Sequence, residues 1–262
     1  MRLVGSELAL RRAATVAWLV GMAVLVAAVA GFFPALHGNA SLNVLYADLP
    51  AALQGLLGGA DLVSPVGYLS TQMFAFVAPV VLLILGMGRG AAALAGEEED
   101  RTLDLLLAQP VSRRALYGAK AVAVTIWLTE LGAVTWGVLA ALDSVTGLHV
   151  GLGRLAATCL QMTLMCLAAS WACMAIAAGT GRRIVGIGAV AYYLFLSYLV
   201  YGLSGAVRWL GPVRPLTVWR WYLGNDPLVH GVSVTGVGVL LAVSLVATGV
   251  GAAVFDRRDV HA

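Results

Sequence analysis

Few side chains in this sequence can do chemistry, and the densest group of them lies between Gly96 and Lys120, in the run GEEEDRTLDLLLAQPVSRRALYGAK. Leu103, Leu106 and Leu107 fall at i, i+3 and i+4, which places them on one face of a short helix. Glu97, Glu98, Glu99 and Asp100 precede that helix, where negative charge complements a positive helix N-terminus. Gln109-Pro110 ends it, because proline disfavours helical geometry in the residue before it. Ser112 then stands as an N-cap for the next helix, with Arg113 and Arg114 at headgroup level. A solvated loop would account for the acids and arginines. It would not account for a leucine stripe and two helix boundaries within so short a run. The chemistry this pattern suits is docking: a surface helix that a partner protein can grip.

The remaining reactive residues are scattered. Glu130 falls well inside an apolar segment, where a carboxylate is costly and faces a polar interior, a partner or a proton path; a structural hydrogen bond between helices is the plainer reading. Cys159, Cys166 and Cys173 repeat every seven residues and share one helix face, with Met162 and Met165 nearby. Soft sulfur ligands of that kind favour Cu(I), but small residues on one face equally serve tight helix packing. One helix cannot wrap a metal, so no metal site is expected. Lys120 is the only lysine, and no glycine-rich phosphate loop precedes it. His37, His149, His230 and His261 form no HExxH pair, and GxSxG is absent. No catalytic residue is expected in this chain, and any nucleotide hydrolysis would belong to another one.

The elements that position these residues are membrane spans. Hydrophobic residues make up 61% of the 262 positions and charged ones 11%, against about 25% charged in ordinary soluble domains. Six apolar runs approach the roughly 20 residues that cross a bilayer: Ala14–Phe33, Leu69–Met87, Ala121–Leu142, Leu155–Ala178, Val185–Leu203 and Val232–Phe255. The expected fold is therefore all-α and polytopic, a single transmembrane domain over residues 1–262. One side of the membrane carries Arg2, Arg11, Arg12, Arg89, Arg101, Arg113, Arg114, Lys120, Arg182, Arg183, Arg257 and Arg258; the other has only Arg154, Arg208, Arg214 and Arg220. The positive-inside rule puts both termini and the Gly96–Lys120 insert in the cytoplasm.

Three further segments carry patterns. Met1–Arg12 mixes Leu3, Leu8 and Leu10 with Arg2, Glu7, Arg11 and Arg12, which suits either an interfacial amphipathic helix or a solvated basic tail. In Pro34–Gly67, Pro50 limits the leucine pattern to two short helices. In Ser204–Gly231, Trp209, Trp219, Trp221 and Tyr222 alternate with Arg208, Arg214 and Arg220. That composition reads first as a headgroup belt, and alternatively as a re-entrant or surface helix that caps an exit. Nucleic acid is not expected as a partner on that face.

The insert resembles the signature of ABC-2 type transporter permeases, which runs roughly E-E-x-x-G-T-L-(D/E)-L-L-L-x-x-P-V-S-R with a lysine a few residues on. Glu97, Glu98, Thr102, Leu103, Asp104, Leu105, Leu106, Leu107, Pro110, Val111, Ser112, Arg113 and Lys120 stand at matching positions, and Arg101 replaces the usual glycine. The close of the chain, Asn225-Asp226-Pro227-Leu228 and later Phe255-Asp256-Arg257-Arg258-Asp259, is similar to the family's as well. The resemblance implies a type V exporter-like fold with a cytoplasmic coupling helix between spans 2 and 3. It implies ATPase coupling through Glu97, Glu98, Thr102, Leu103, Leu106, Leu107, Pro110 and Arg113, and a connecting helix at the N-terminus. It also implies two cytoplasmic ABC ATPase subunits that carry ATP and Mg, a second copy of this permease or a related one, and surrounding lipids in a prokaryotic plasma membrane. Two alternatives remain beside export: a membrane partner that anchors or signals without transport, and a copper- or sulfur-species carrier of the kind that serves nitrous-oxide reductase maturation.

Overall fold

A computed structural model describes residues 12–36, 44, 48–56, 63–100 and 112–258. Among them, six helices are long and apolar enough to cross a membrane. Spans 1 to 6 are Arg12–Leu36, Pro65–Glu99, Arg113–Leu142, Leu152–Thr180, Arg183–Leu203 and Val234–Arg257. No strand occurs among the described residues, so the fold class matches the one expected from composition and periodicity. Met1–Arg11 and residues 101–111 lie outside the described residues, so the expected connecting and coupling helices do too.

The second span runs past Met87, where its apolar run stops, to Glu99. The Gly86-Met87-Gly88-Arg89-Gly90 stretch looks like a break in sequence, yet the helix continues through it because each residue is accommodated. A Cβ on Gly90 would lie 2.5 Å from the backbone oxygen of Ser170, and one on Gly86 would lie 2.3 Å from the Ser170 hydroxyl. Both glycines are therefore the points where spans 2 and 4 touch, as small residues are in membrane helix pairs. The Arg89 guanidinium stacks 3.8 Å from the centre of the Trp127 ring on span 3 and donates to the Thr15 hydroxyl of span 1 at 3.1 Å. Earlier in span 2, Leu69–Val77 is wound as a π-helix, with Ala78 N–H bonded to the Met73 carbonyl. Pro79 follows directly, and the wider winding absorbs the missing proline donor.

Span 4 is the centre of the bundle. It packs against spans 2, 3, 5 and 6, and 67% of its apolar window is buried, against 17% in span 6 and 22% in spans 1 and 5. The main core gathers Met73, Phe74 and Leu82 of span 2, Trp127, Leu128 and Leu131 of span 3, and Met162, Met165 and Cys166 of span 4.

The segment between spans 5 and 6 is built from a 3-10 helix, Arg208–Leu216, and two short helices, Val218–Leu223 and Pro227–His230. A headgroup belt describes it only in part. Trp209 is 74% exposed, whereas Trp219 and Tyr222 are buried. Tyr222 donates to the Phe74 carbonyl at 3.0 Å, and its own carbonyl accepts from the Gln161 amide at 2.8 Å. The Gln161 side-chain oxygen in turn accepts from the Ser233 N–H at 2.8 Å. The segment thus folds back into the bundle because a buried glutamine on span 4 satisfies backbone groups that would otherwise be stranded.

Gly90→Ala should push spans 2 and 4 apart and cost about 1–3 kcal/mol, the usual penalty of overpacking. Gly88→Ala, with nothing near its Cβ position, should be neutral. Thermal melting in one detergent compares them, and equal melting temperatures would show that the close approach at Gly90 is not a constraint.

Candidate functional site

At the end of span 2 that leads into residues 101–111, three consecutive carboxylates each reach a different helix. Glu97 is ion-paired with Lys120 of span 3, a lysine only 6% exposed at its side chain. Glu98 takes both ends of the Arg258 guanidinium, at 2.6 and 2.9 Å, just past span 6. Glu99 accepts from Nε of Arg183 at 2.5 Å and from the Arg183 backbone N–H at 2.9 Å, at the start of span 5. Asp100 lies 3.9 Å from the same guanidinium. Successive helical residues point about 100° apart, so a run of three acids can address three neighbours at once.

The leucine-striped helix that these acids precede in sequence lies outside the described residues. The acids themselves form the last turn of span 2, Glu97–Glu99. There the helix dipole is negative and disfavours them, so each needs a cation. The basic residues serve helix ends as well. Arg258 Nη1 donates to the Ala178 carbonyl near the end of span 4 at 2.9 Å. Arg113 donates to the Arg258 carbonyl, and at 3.5 Å to that of Phe255 near the end of span 6. Cations at helix C-termini satisfy carbonyls that have no partner within the helix. Ser112 caps span 3 by accepting from the Ala115 N–H at 3.3 Å, in keeping with its place in the sequence. On the outside of the cluster, Arg114 meets Asp256 at 2.9 Å.

Of the residues singled out from sequence, Glu97, Glu98 and Arg113 are therefore brought together in one cluster. Thr102, Leu103, Leu106, Leu107 and Pro110 lie outside the described residues. Glu130 lies in mid-span 3 and is exposed on the outside of the bundle rather than turned into a polar interior. Cys159, Cys166 and Cys173 are buried in span 4. Cys166 Sγ approaches the Pro79 carbonyl at 4.0 Å and Cys173 Sγ the Met87 carbonyl at 3.5 Å, both in the contact with span 2. Sequence reasoning missed Arg183, Arg258, Arg89 and Gln161 as structural partners. The signal available for the first two was the doublet of arginines at the end of a span, which also fits ordinary headgroup anchoring.

An all-helical bundle with six membrane-crossing helices and a charged cluster on one face defines a multi-pass membrane protein. Residues 3–260 match the family model of the ABC-2 family transporter proteins, and the chain belongs to that family. It is a membrane permease subunit of an ABC transporter, a class that associates with ABC ATPase partners. No curated protein matches the chain.

Breaking the Glu98–Arg258 pair should be costly, since the two side chains are only 18% and 23% exposed. Arg258→Ala should lower stability by about 1–3 kcal/mol, less than a fully buried pair because some water reaches it. Arg114→Ala, from a pair 71% and 34% exposed, should cost no more than about 0.5 kcal/mol. Chemical or thermal unfolding of both variants checks the order, and a larger loss for Arg114→Ala would invert this account.

Proposed function

We propose that this chain is the permease of an ATP-driven exporter, and that residues 97–113 couple it to two cytoplasmic ATPase subunits holding ATP and Mg. Both termini lie in the cytoplasm of a prokaryotic plasma membrane, and a second copy or a related permease completes the transport path. The observation that carries the reading is the Glu97–Glu98–Glu99 cluster. It stands at the entrance to the leucine-striped insert, while Ser112 and Arg113 stand at its exit. A push on the insert is delivered through Glu97 to span 3, through Glu98 to spans 4 and 6, and through Glu99 to span 5. A loop tied to only one helix could not move the others.

The coupling residues divide into two roles on this reading. Thr102, Leu103, Leu106, Leu107 and Pro110 form the surface offered to the ATPase, and Glu97, Glu98 and Arg113 transmit load within the permease. ATP favours the closed ATPase dimer, and that difference in affinity supplies the bias between inward- and outward-open states. The copper- or sulfur-carrier alternative draws no support from the cysteines: the thiols of Cys166 and Cys173 are turned into the contact with span 2, and Cys159 is buried.

Leu106→Asp should remove a co-purifying P-loop ATPase by tenfold or more while leaving the melting temperature of the permease unchanged. Glu98→Gln should retain the ATPase but lower the ATP hydrolysis that the assembled permease stimulates. Co-purification from native membranes reads the first and ATPase turnover of the complex reads the second. Full ATPase binding by Leu106→Asp would remove the insert from the interface. A permease that carries no ATPase at all would favour an anchoring or signalling role.

A further inference from the structure

Glu130 is the only acid between Arg113 and Leu142, and it meets lipid rather than protein. At 1.5 Å per residue it stands about 18 Å along span 3 from Leu142, near the middle of a hydrocarbon core of about 30 Å. Its side chain is exposed on the outside of the bundle, and among the described residues neither a hydrogen bond nor an ion pair reaches it. Thr129 beside it is exposed as well. Thr125 and Thr135 of the same helix bond the carbonyls of Ala121 and Leu131 at 2.8 Å. No such bond engages the Thr129 hydroxyl among the described residues. Lipid tails offer neither a donor nor an acceptor at this depth, so both groups call for a protein neighbour.

The arc between the two residues suits close approach. Successive helical residues turn by about 100°, so with Thr129 at 0° and Glu130 at about 100°, Ala133 falls at about 40° and Gly137 at about 80°. Both are exposed, and a Cβ on Gly137 would meet nothing within 4 Å. Small residues four apart let a second helix backbone come near, and the donor and the acceptor then flank the line of contact on opposite sides. A second copy of this chain in the same membrane orientation fits that pattern by symmetry. Its span 3 runs parallel to the first, with Thr129 and Glu130 at the same depth. A two-fold axis along the membrane normal sets the Thr129 flank of each helix against the Glu130 flank of the other. The seam then holds two identical donor–acceptor pairs, and the two carboxylates stay on opposite sides of it.

We infer that the face of span 3 bearing Thr129, Glu130, Ala133 and Gly137 is where two copies of this chain pair, each Thr129 hydroxyl donating to the Glu130 carboxylate of the other copy. The inference rests on the paired permease of the proposed function and assigns its face; its test needs no ATPase. The full chain, tagged with donor or acceptor fluorophores, is reconstituted in liposomes, and energy transfer reads the dimer fraction as added lipid dilutes the protein. Thr129→Val, which leaves the carboxylate without its donor, should weaken pairing by about tenfold or more, since two interhelical bonds are lost. Gly137→Leu, which thickens the seam, should weaken it as well, and Glu130→Gln, which keeps an acceptor oxygen, should not. Ala133→Cys should form a disulfide-linked dimer when the membranes are oxidised, and Val24→Cys, on the outward face of span 1, should not. A wild-type dimer that Thr129→Val leaves intact, or that Ala133→Cys fails to cross-link, overturns this face and leaves the paired permease standing. A chain that is monomeric at every dilution overturns both the face and self-pairing, while ATPase co-purification still judges the coupling reading. Cross-linking of Ala133→Cys to a different protein overturns the inference too, and gives the face to a foreign partner. Should Gly137→Leu fail to fold, Thr129→Val, which removes no contact within the described bundle, decides alone.

Discussion

The arrangement of this bundle turns on three carboxylates placed where helix electrostatics disfavour them. Spans 2, 4 and 6 all end on the same face, so three sets of unpaired carbonyls and three negative dipole ends meet there. Adding Glu97, Glu98 and Glu99 to that face would be untenable without cations. Lys120, Arg183, Arg258 and Arg113 supply them, from spans 3 and 5 and from the segment after span 6. The result is a network in which some members bind twice: Glu99 binds a guanidinium and the first N–H of span 5, and Arg258 binds a carboxylate and a carbonyl of span 4. Such networks fix relative position better than isolated pairs, because moving one helix strains several bonds at once.

The cluster also explains why span 2 is so long. It extends from Pro65 to Glu99, about 50 Å at 1.5 Å per residue, well beyond a hydrocarbon core of about 30 Å. Its last two turns still bury Leu94 and Ala95 and then carry the acids that meet charged partners. Arg89 marks the transition: it lies one stage deeper and is stabilised by a ring face and a hydroxyl.

How much of this could be read from the sequence differs by element. Span number and fold class follow from composition and hydropathy, which depend on each residue's own preference for lipid. The cap at Ser112 was also legible, because capping is local. The apolar run alone makes span 2 too short, since Gly86, Arg89 and Gly90 break it and only their neighbours show why the helix tolerates them. The pairing of the acid run is hidden for a related reason. Its partners, Lys120, Arg183 and Arg258, lie between 23 and 160 positions away, and charge periodicity carries no information about pairing at that range. The aromatic segment before span 6 was ambiguous because burial of Tyr222 depends on Gln161, a single polar residue in another span.

Small residues show the same dependence on context within one helix. On the side of span 4 that meets span 2, Cys166, Ser170 and Cys173 lie against Gly86, Gly90 and the carbonyls of Pro79 and Met87. Smallness on both partners lets the backbones approach, and the gap closes. On the side toward spans 5 and 6, Ala168 and Ala172 meet valines and a tyrosine whose branched or rigid side chains hold the walls apart. Smallness on one partner only leaves a hollow, which in a bilayer is filled by whatever apolar chain is at hand. Span 4 therefore makes both a close helix contact and a groove with nearly the same residue types. Which of the two a given alanine or cysteine makes is decided by the neighbour it meets, and not by its own identity.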